Sequence, residues 1–191
     1  MTSLHISPQE AASILLSRRK ATASLTEFCR FVAPHEPPAA HHVVLCDALD
    51  SVARGELRRL MVFMTPGSAK STYATVRFPA YFMGKYSDKG VICASYNDEL
   101  ATMFGGRVRN LVGSPEFREL FDVSLSADTR AKGEWNTDAG GFYFATGVGG
   151  GVTGRRGDIL IVDDPMKGRA DADSPLIREK TWEWLKADLR T

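Results

Sequence analysis

The sequence predicts an α/β protein: a mostly parallel sheet with helices on both faces. Three observations carry this. Strand-like and helix-like segments alternate along most of the chain. The strand-like segments are short apolar runs without polar alternation, which suits strands buried on both faces. One such run, Leu60 to Met64, passes through a small-residue turn straight into Lys70-Ser71, where a helical stretch opens.

The elements follow from local signals. Ser7-Pro8, with Glu10 behind, starts a helix running to about Arg19. A second helix covers Leu25 to Val32, and Pro34, Pro37 and Pro38 then break the chain. His41 to Arg54 is helical, with Val44, Leu45, Leu49 and Val52 on one face, and Gly55 ends it. Residues 1–56 read as a helical lead-in, and residues 57–191 as the core. The core begins with a strand over Arg59 to Met64 and a loop over Thr65 to Ala69. A helix from Lys70 to about Tyr86 follows, kinked by Pro79. Next come a strand over Gly90 to Ala94, a helix capped at Ser95 or Asn97 and running to about Val112, and a short helix over Pro115 to Phe121. Residues 122–133 read as a surface loop. Glu134 to Thr137 and Phe142 to Thr146 pair as a hairpin across Asp138-Ala139-Gly140-Gly141. A glycine-rich stretch over 147–157 leads to a strand ending at Asp163-Asp164, and Ser174-Pro175 starts a helix expected to run to the end.

At 191 residues the chain suffices for one domain with a real core. Its 43% hydrophobic and 25% charged content is ordinary globular composition. A net charge of +1 excludes a broad electrostatic claim on nucleic acid, so any basic surface is local. Cys29, Cys46 and Cys93 lack metal-type spacing and read as buried free thiols, which suits a reducing cytoplasm. There is no charged-then-apolar leader and no apolar run long enough to span a bilayer, so no membrane association is expected.

The chemistry concentrates in two segments. Thr65, Pro66, Gly67, Ser68, Ala69, Lys70, Ser71 and Thr72 suit a phosphate-binding loop. Backbone N–H groups of the turn would converge on an anion. Lys70 would reach the β- and γ-phosphates of ATP, and Ser71 would offer its hydroxyl to Mg²⁺. A lysine at a helix start opposes the helix dipole unless an anion is present. The common pattern is Gly-x-x-x-x-Gly-Lys-Ser/Thr. Here Met64 stands at the first glycine position and Ala69 at the second, so Ala69 places a methyl where glycine normally permits unusual φ. The second segment, Asp158 to Pro165, carries four apolar residues, three of them β-branched, and ends in two carboxylates. Chemistry gathers at the carboxyl ends of parallel strands, so loop and acids should meet on one edge. Asp163 would hold Mg²⁺ and Asp164 would orient or deprotonate the attacking water. Together these imply a P-loop NTPase fold of the ASCE type.

Arg155 and Arg156 lie in the glycine-rich stretch, expected to face the same edge. They could sense the γ-phosphate, act across a subunit interface or touch DNA, and the alternative is a solvated basic turn. Arg107 and Arg109 lie two apart on a helix and so point differently; one could serve as a trans-acting finger, and the alternative is a surface role. His41 and His42 could line an adenine pocket or be ordinary helix residues, and Trp135, Trp182 and Trp184 are read as packing residues.

The chain resembles the large terminase subunits of tailed bacteriophages and prophages. The resemblance rests on His41-His42 ahead of Gly55 to Leu60, the segment Met64 to Thr72, and Ser95-Tyr96-Asn97. It continues through Phe104-Gly105-Gly106-Arg107-Val108-Arg109 and Ala145 to Asp164, and it covers nearly the whole chain. It implies a Mg²⁺-dependent ATPase that drives packaging of double-stranded DNA into a capsid, in the host cytoplasm. The partners it implies are the portal protein, a small terminase subunit and a homo-oligomeric ring of the same subunit, a pentamer on the capsid. The family's RNase H-like nuclease and its coupling strand are expected beyond Thr191, so no nuclease site is expected in this chain. Asp164 stands where the family often has Glu. Two other readings share the loop chemistry or dispense with it: a different DNA-dependent ATPase of helicase or recombinase type, and a truncated, non-catalytic assembly module.

Overall fold

A four-stranded sheet organises the chain in the computed structural model, which describes residues 7–127, 131–152 and 154–187. Its strands are β1 (Gly90–Ser95), β2 (Glu134–Asn136), β3 (Phe142–Gly147) and β4 (Ile159–Val162). They lie in the order β2-β3-β1-β4. β1 runs parallel to β3 on one side and to β4 on the other, and β2 pairs antiparallel with β3. Val91 is thereby flanked by Tyr143 and Ile159, and Cys93 by Ala145 and Ile161. The protein is therefore mixed α/β with three parallel strands.

Alternation along β1 sends its side chains into two different layers. Val91 and Cys93 join the main core, whereas Ile92 and Ala94 pack with Val152 and Trp184 on the opposite face. The main core is covered by α1 (Pro8–Ala23), α2 (Leu25–Val32), α3 (Ala40–Ala53), α4 (Phe78–Lys85), α5 (Asp98–Val112) and α6 (Pro115–Leu120). Phe28, Tyr81, Phe117 and Phe121 from this side form one aromatic cluster, with ring centroids 5.0 to 6.4 Å apart. Trp135 stacks on Tyr143 at 5.2 Å. A short α7 (Arg169–Asp173), which the sequence does not announce, precedes α8 (Pro175–Ala187). Trp184 of α8 caps the second face and donates its indole N–H to the Gly150 carbonyl at 3.0 Å. The end of the expected last helix lies outside the described residues.

Local signals account for the helix starts. Ser7 accepts from the Glu10 N–H while the Glu10 carboxylate accepts from the Ser7 N–H, a closed capping box. Asn97 caps α5 through the Leu100 N–H at 2.9 Å, and Ser114 caps α6 through the Phe117 N–H at 3.2 Å. All three cysteines are buried free thiols, and burial pushes the Cys93 thiol up to about 12. Among the described residues no helix is long and apolar enough to cross a membrane.

Several expectations are corrected. Residues 59–64 belong to no strand. Leu60, Val62 and Met64 pack on the main core while Met61 and Phe63 face out, Phe63 at 83% exposure. The period-two alternation is present, but no ladder partner lies beside it. β4 is an edge strand with Leu160 and Val162 exposed, not a strand buried on both faces. Val44 is 70% exposed, because α3 turns Leu45, Cys46 and Leu49 inward. Trp182 is likewise exposed. The helical run from Lys70 is not a kinked α-helix. Thr72–Arg77 form a π-helical turn, and Pro79 sits at the start of α4, where its missing N–H is tolerated.

Candidate functional site at the carboxyl end of β4

The loop 65–69 folds on itself through the Ser68 N–H, which donates to the Thr65 carbonyl at 3.2 Å. Gly67 has φ +78°, a left-handed conformation that suits glycine. Ala69 follows at φ +57°. This is the position where the sequence pattern calls for glycine, and the alanine holds the glycine conformation. An L-residue there carries strain on the order of 1–2 kcal/mol. Helix opens at Lys70, with the Tyr73 N–H reaching back to the Ala69 carbonyl at 3.2 Å. The first N–H groups of a helix have no carbonyl one turn earlier, so they are available to an anion.

The acids arrive from the other side. The Asp163 N–H donates to the Ala94 carbonyl at 2.9 Å, prolonging the β1–β4 ladder by one residue. The Tyr96 N–H donates to the Asp164 carbonyl at 3.0 Å. Asp164 has φ +48°, so the chain turns sharply there. Asp163 is buried, whereas the Asp164 side chain is 63% exposed. Among the described residues Ala69 and Asp164 are the non-glycine residues with positive φ, and each adjoins the Lys70 ammonium or its backbone. Backbone strain of this kind persists where the surroundings over-determine it, commonly at functional sites.

Lys70 joins the two segments. Its Nζ stands 3.1 Å from Asp163 Oδ1 and 3.2 Å from Asp164 Oδ1. Thr75 Oγ1 donates to the other Asp163 oxygen at 2.9 Å in a buried bond. Partial burial lowers the Lys70 pKa, but the two carboxylates outweigh it and raise the value above the ordinary lysine range. Residues 64–72 and Asp164 line a cleft of about 400 Å³, within the range of roughly 300–1,000 Å³ common for ligand pockets. Thus Thr65, Pro66, Gly67, Ser68, Ala69, Lys70, Ser71, Thr72 and Asp164 share one cavity, and Asp163 is reached through Lys70. Ser68 Oγ is buried without a hydrogen-bond partner. A larger hollow of about 540 Å³ borders α5, between Asp98, Glu99, Arg107 and Lys132. Its charges are of mixed sign, and Asp98 is already engaged by the Gly147 N–H at 2.6 Å.

Arg155 is not in this site. It pairs with Glu134 of β2 at 2.8 Å, and its guanidinium lies 4.1 Å over the Phe144 ring. The connection from β3 to the parallel β4 must return to the amino end of β4, so residues 154–158 approach the strand opposite to Asp163 and Asp164. The expectation that Arg155 and Arg156 share the acidic edge is thereby corrected. Arg107 borders the α5 hollow.

Two residues belong to the site that the sequence does not assign to the loop or the acids. Thr75 is one, and its signal was available: Ser71 and Thr75 are hydroxyl residues one helical turn apart. His42 is the other. Its ring bonds the Ser68 carbonyl through Nε2 at 2.8 Å and stacks on Tyr73 at 4.1 Å. Nothing in the spacing announces that contact. Among the described residues no group of three or more His, Cys, Asp or Glu side chains is placed to hold a metal ion. No family model matches the chain, and no curated protein matches it.

Proposed function

We propose that this protein is a P-loop NTPase that hydrolyses ATP with Mg²⁺ at the Lys70 cleft. The observation that carries the reading is the Lys70 ammonium held between Asp163 and Asp164, beside a strained loop of small residues. A lysine, the opening N–H groups of a helix and a buried carboxylate are the parts that phosphoryl transfer asks of a protein, because its catalysis is mainly positioning and charge stabilisation.

The residues suit the groups this chemistry needs. The partnerless Ser68 Oγ and the opening N–H groups of the helix offer donors to phosphate oxygens. Ser71 Oγ and Asp163 offer hard oxygen ligands, and Mg²⁺ with few protein ligands fits a site without a three-acid cluster among the described residues. Bound Mg²⁺ supplies neutralisation of phosphate charge. Lys70 exchanges its carboxylate partners for the triphosphate. Thr75 keeps Asp163 oriented through that exchange, since it holds the oxygen that Lys70 does not use. Asp164, exposed at its turn, orients and deprotonates the attacking water.

The order of the motifs supports the narrower reading of a large-terminase ATPase, acting on double-stranded DNA in a ring with portal and small-subunit partners. Isothermal calorimetry with Mg·ATP tests the first step. Wild-type protein should bind and Lys70→Ala should not, and equal heats from both would remove the reading. Co-sedimentation with a portal ring tests the narrower assignment.

A further inference from the structure

We infer that His42 is a positioning residue of the phosphate loop, acting as a neutral Nε2–H imidazole that fixes the Ser68–Ala69 peptide. The inference rests on the phosphate-loop reading above and names what holds that loop in shape. His42 Nδ1 accepts the Ala39 N–H at 3.1 Å, so Nδ1 carries no proton. The remaining ring proton is then on Nε2, which donates to the Ser68 carbonyl at 2.8 Å. In a trans peptide the carbonyl and the following N–H point in opposite directions. Drawing the Ser68 carbonyl toward α3 therefore turns the Ala69 N–H away from α3. His42 does not line the cleft, whereas Ser68 and Ala69 do. The bond also bears on Ala69, whose φ of +57° needs an external hold. The ring itself is clamped. Tyr73 stacks on it with planes 17° apart, Arg77 covers Tyr73 at 4.7 Å, and Glu36 pairs with Arg77 at 3.1 Å. The helical lead-in thus reaches the loop through one imidazole.

A pair of substitutions separates the two ring nitrogens. Glutamine places its amide nitrogen as many bonds from the backbone as Nε2, and asparagine places its oxygen as many bonds away as Nδ1. His42→Asn keeps an acceptor for the Ala39 N–H and loses the Ser68 bond, while His42→Gln restores a donor to Ser68. Mg·ATP affinity measured by calorimetry should fall about two- to tenfold in His42→Asn, the worth of one net hydrogen bond. His42→Gln should recover wild-type affinity. Wild-type affinity in His42→Asn, or an equal loss in both variants, would overturn the inference. If wild-type protein binds no Mg·ATP, the nucleotide reading falls, and ligand-free NMR then decides this one. Ring ¹⁵N shifts should show the Nε2–H form, and amide exchange at Ser68 and Ala69 should quicken in His42→Asn but not in His42→Gln. The Nδ1–H form, or unchanged exchange, would reject it.

Discussion

Thr75 holds Asp163 by a buried 2.9 Å hydrogen bond, which fixes the end of β4 to the π-helical turn that follows the loop 65–69. The carboxylate is thus oriented from below by a hydroxyl and neutralised from the cleft side by Lys70. Thr75→Val keeps the shape and removes the donor, leaving one buried Asp163 oxygen unpaired. That should cost about 1–3 kcal/mol in urea unfolding, with Thr75→Ser recovering most of it. Mg·ATP turnover should fall alongside in Thr75→Val.

Lys70→Ala should reduce ATP hydrolysis about a hundredfold or more, since it removes the charge aimed at the transferring phosphoryl group. A steady-state phosphate-release assay checks this. Turnover within a factor of about three of wild type would mean that hydrolysis does not use this ammonium.

Ala69→Gly should stabilise the protein. Relief of the left-handed alanine is worth about 1–2 kcal/mol, and the added chain entropy of glycine in the unfolded state costs about 0.5–1 kcal/mol. The net gain should be about 0.5 kcal/mol in denaturant titrations. A loss of stability would show that the methyl makes contacts worth more than its strain.

Stability should also decline in alkali. Lys70 holds its proton more tightly in the folded state than the unfolded value of about 10.4, so its contribution is complete below about pH 10. The contribution is lost as pH rises through the higher folded-state value. Lys70→Met should flatten that part of the profile, measured as urea midpoints between about pH 8 and pH 11.

The legible parts of this fold are those with local causes. Asn97 announces α5, Ser114-Pro115 announces α6, and the hairpin of β2 and β3 is set by its turn residues. The loop and the acidic pair were legible because each is a contiguous cluster of special chemistry. Strand pairing is a different matter. Leu60 to Met64 has the alternation of a strand, but a ladder requires a neighbour that no local pattern specifies. The placement of Arg155 depends on how the return from β3 to β4 crosses the sheet. The His42 contact depends on where α3 docks, and the spacing of residues on one helix holds no information about that.

The π-turn over Thr72–Arg77 bears on how the site tolerates length changes. A wide turn takes up one extra residue and leaves the helical segments on its two sides at nearly the same relative rotation. Deleting a single residue there would restore an α-helical turn and keep Lys70 on nearly the same side of the axis set by Phe78–Lys85. A deletion within the regular helix Phe78–Lys85 has no such slack and would rotate its two sides against each other by about 100°. This helix is thus tolerant of a lost residue at its wide turn and intolerant of one beyond it.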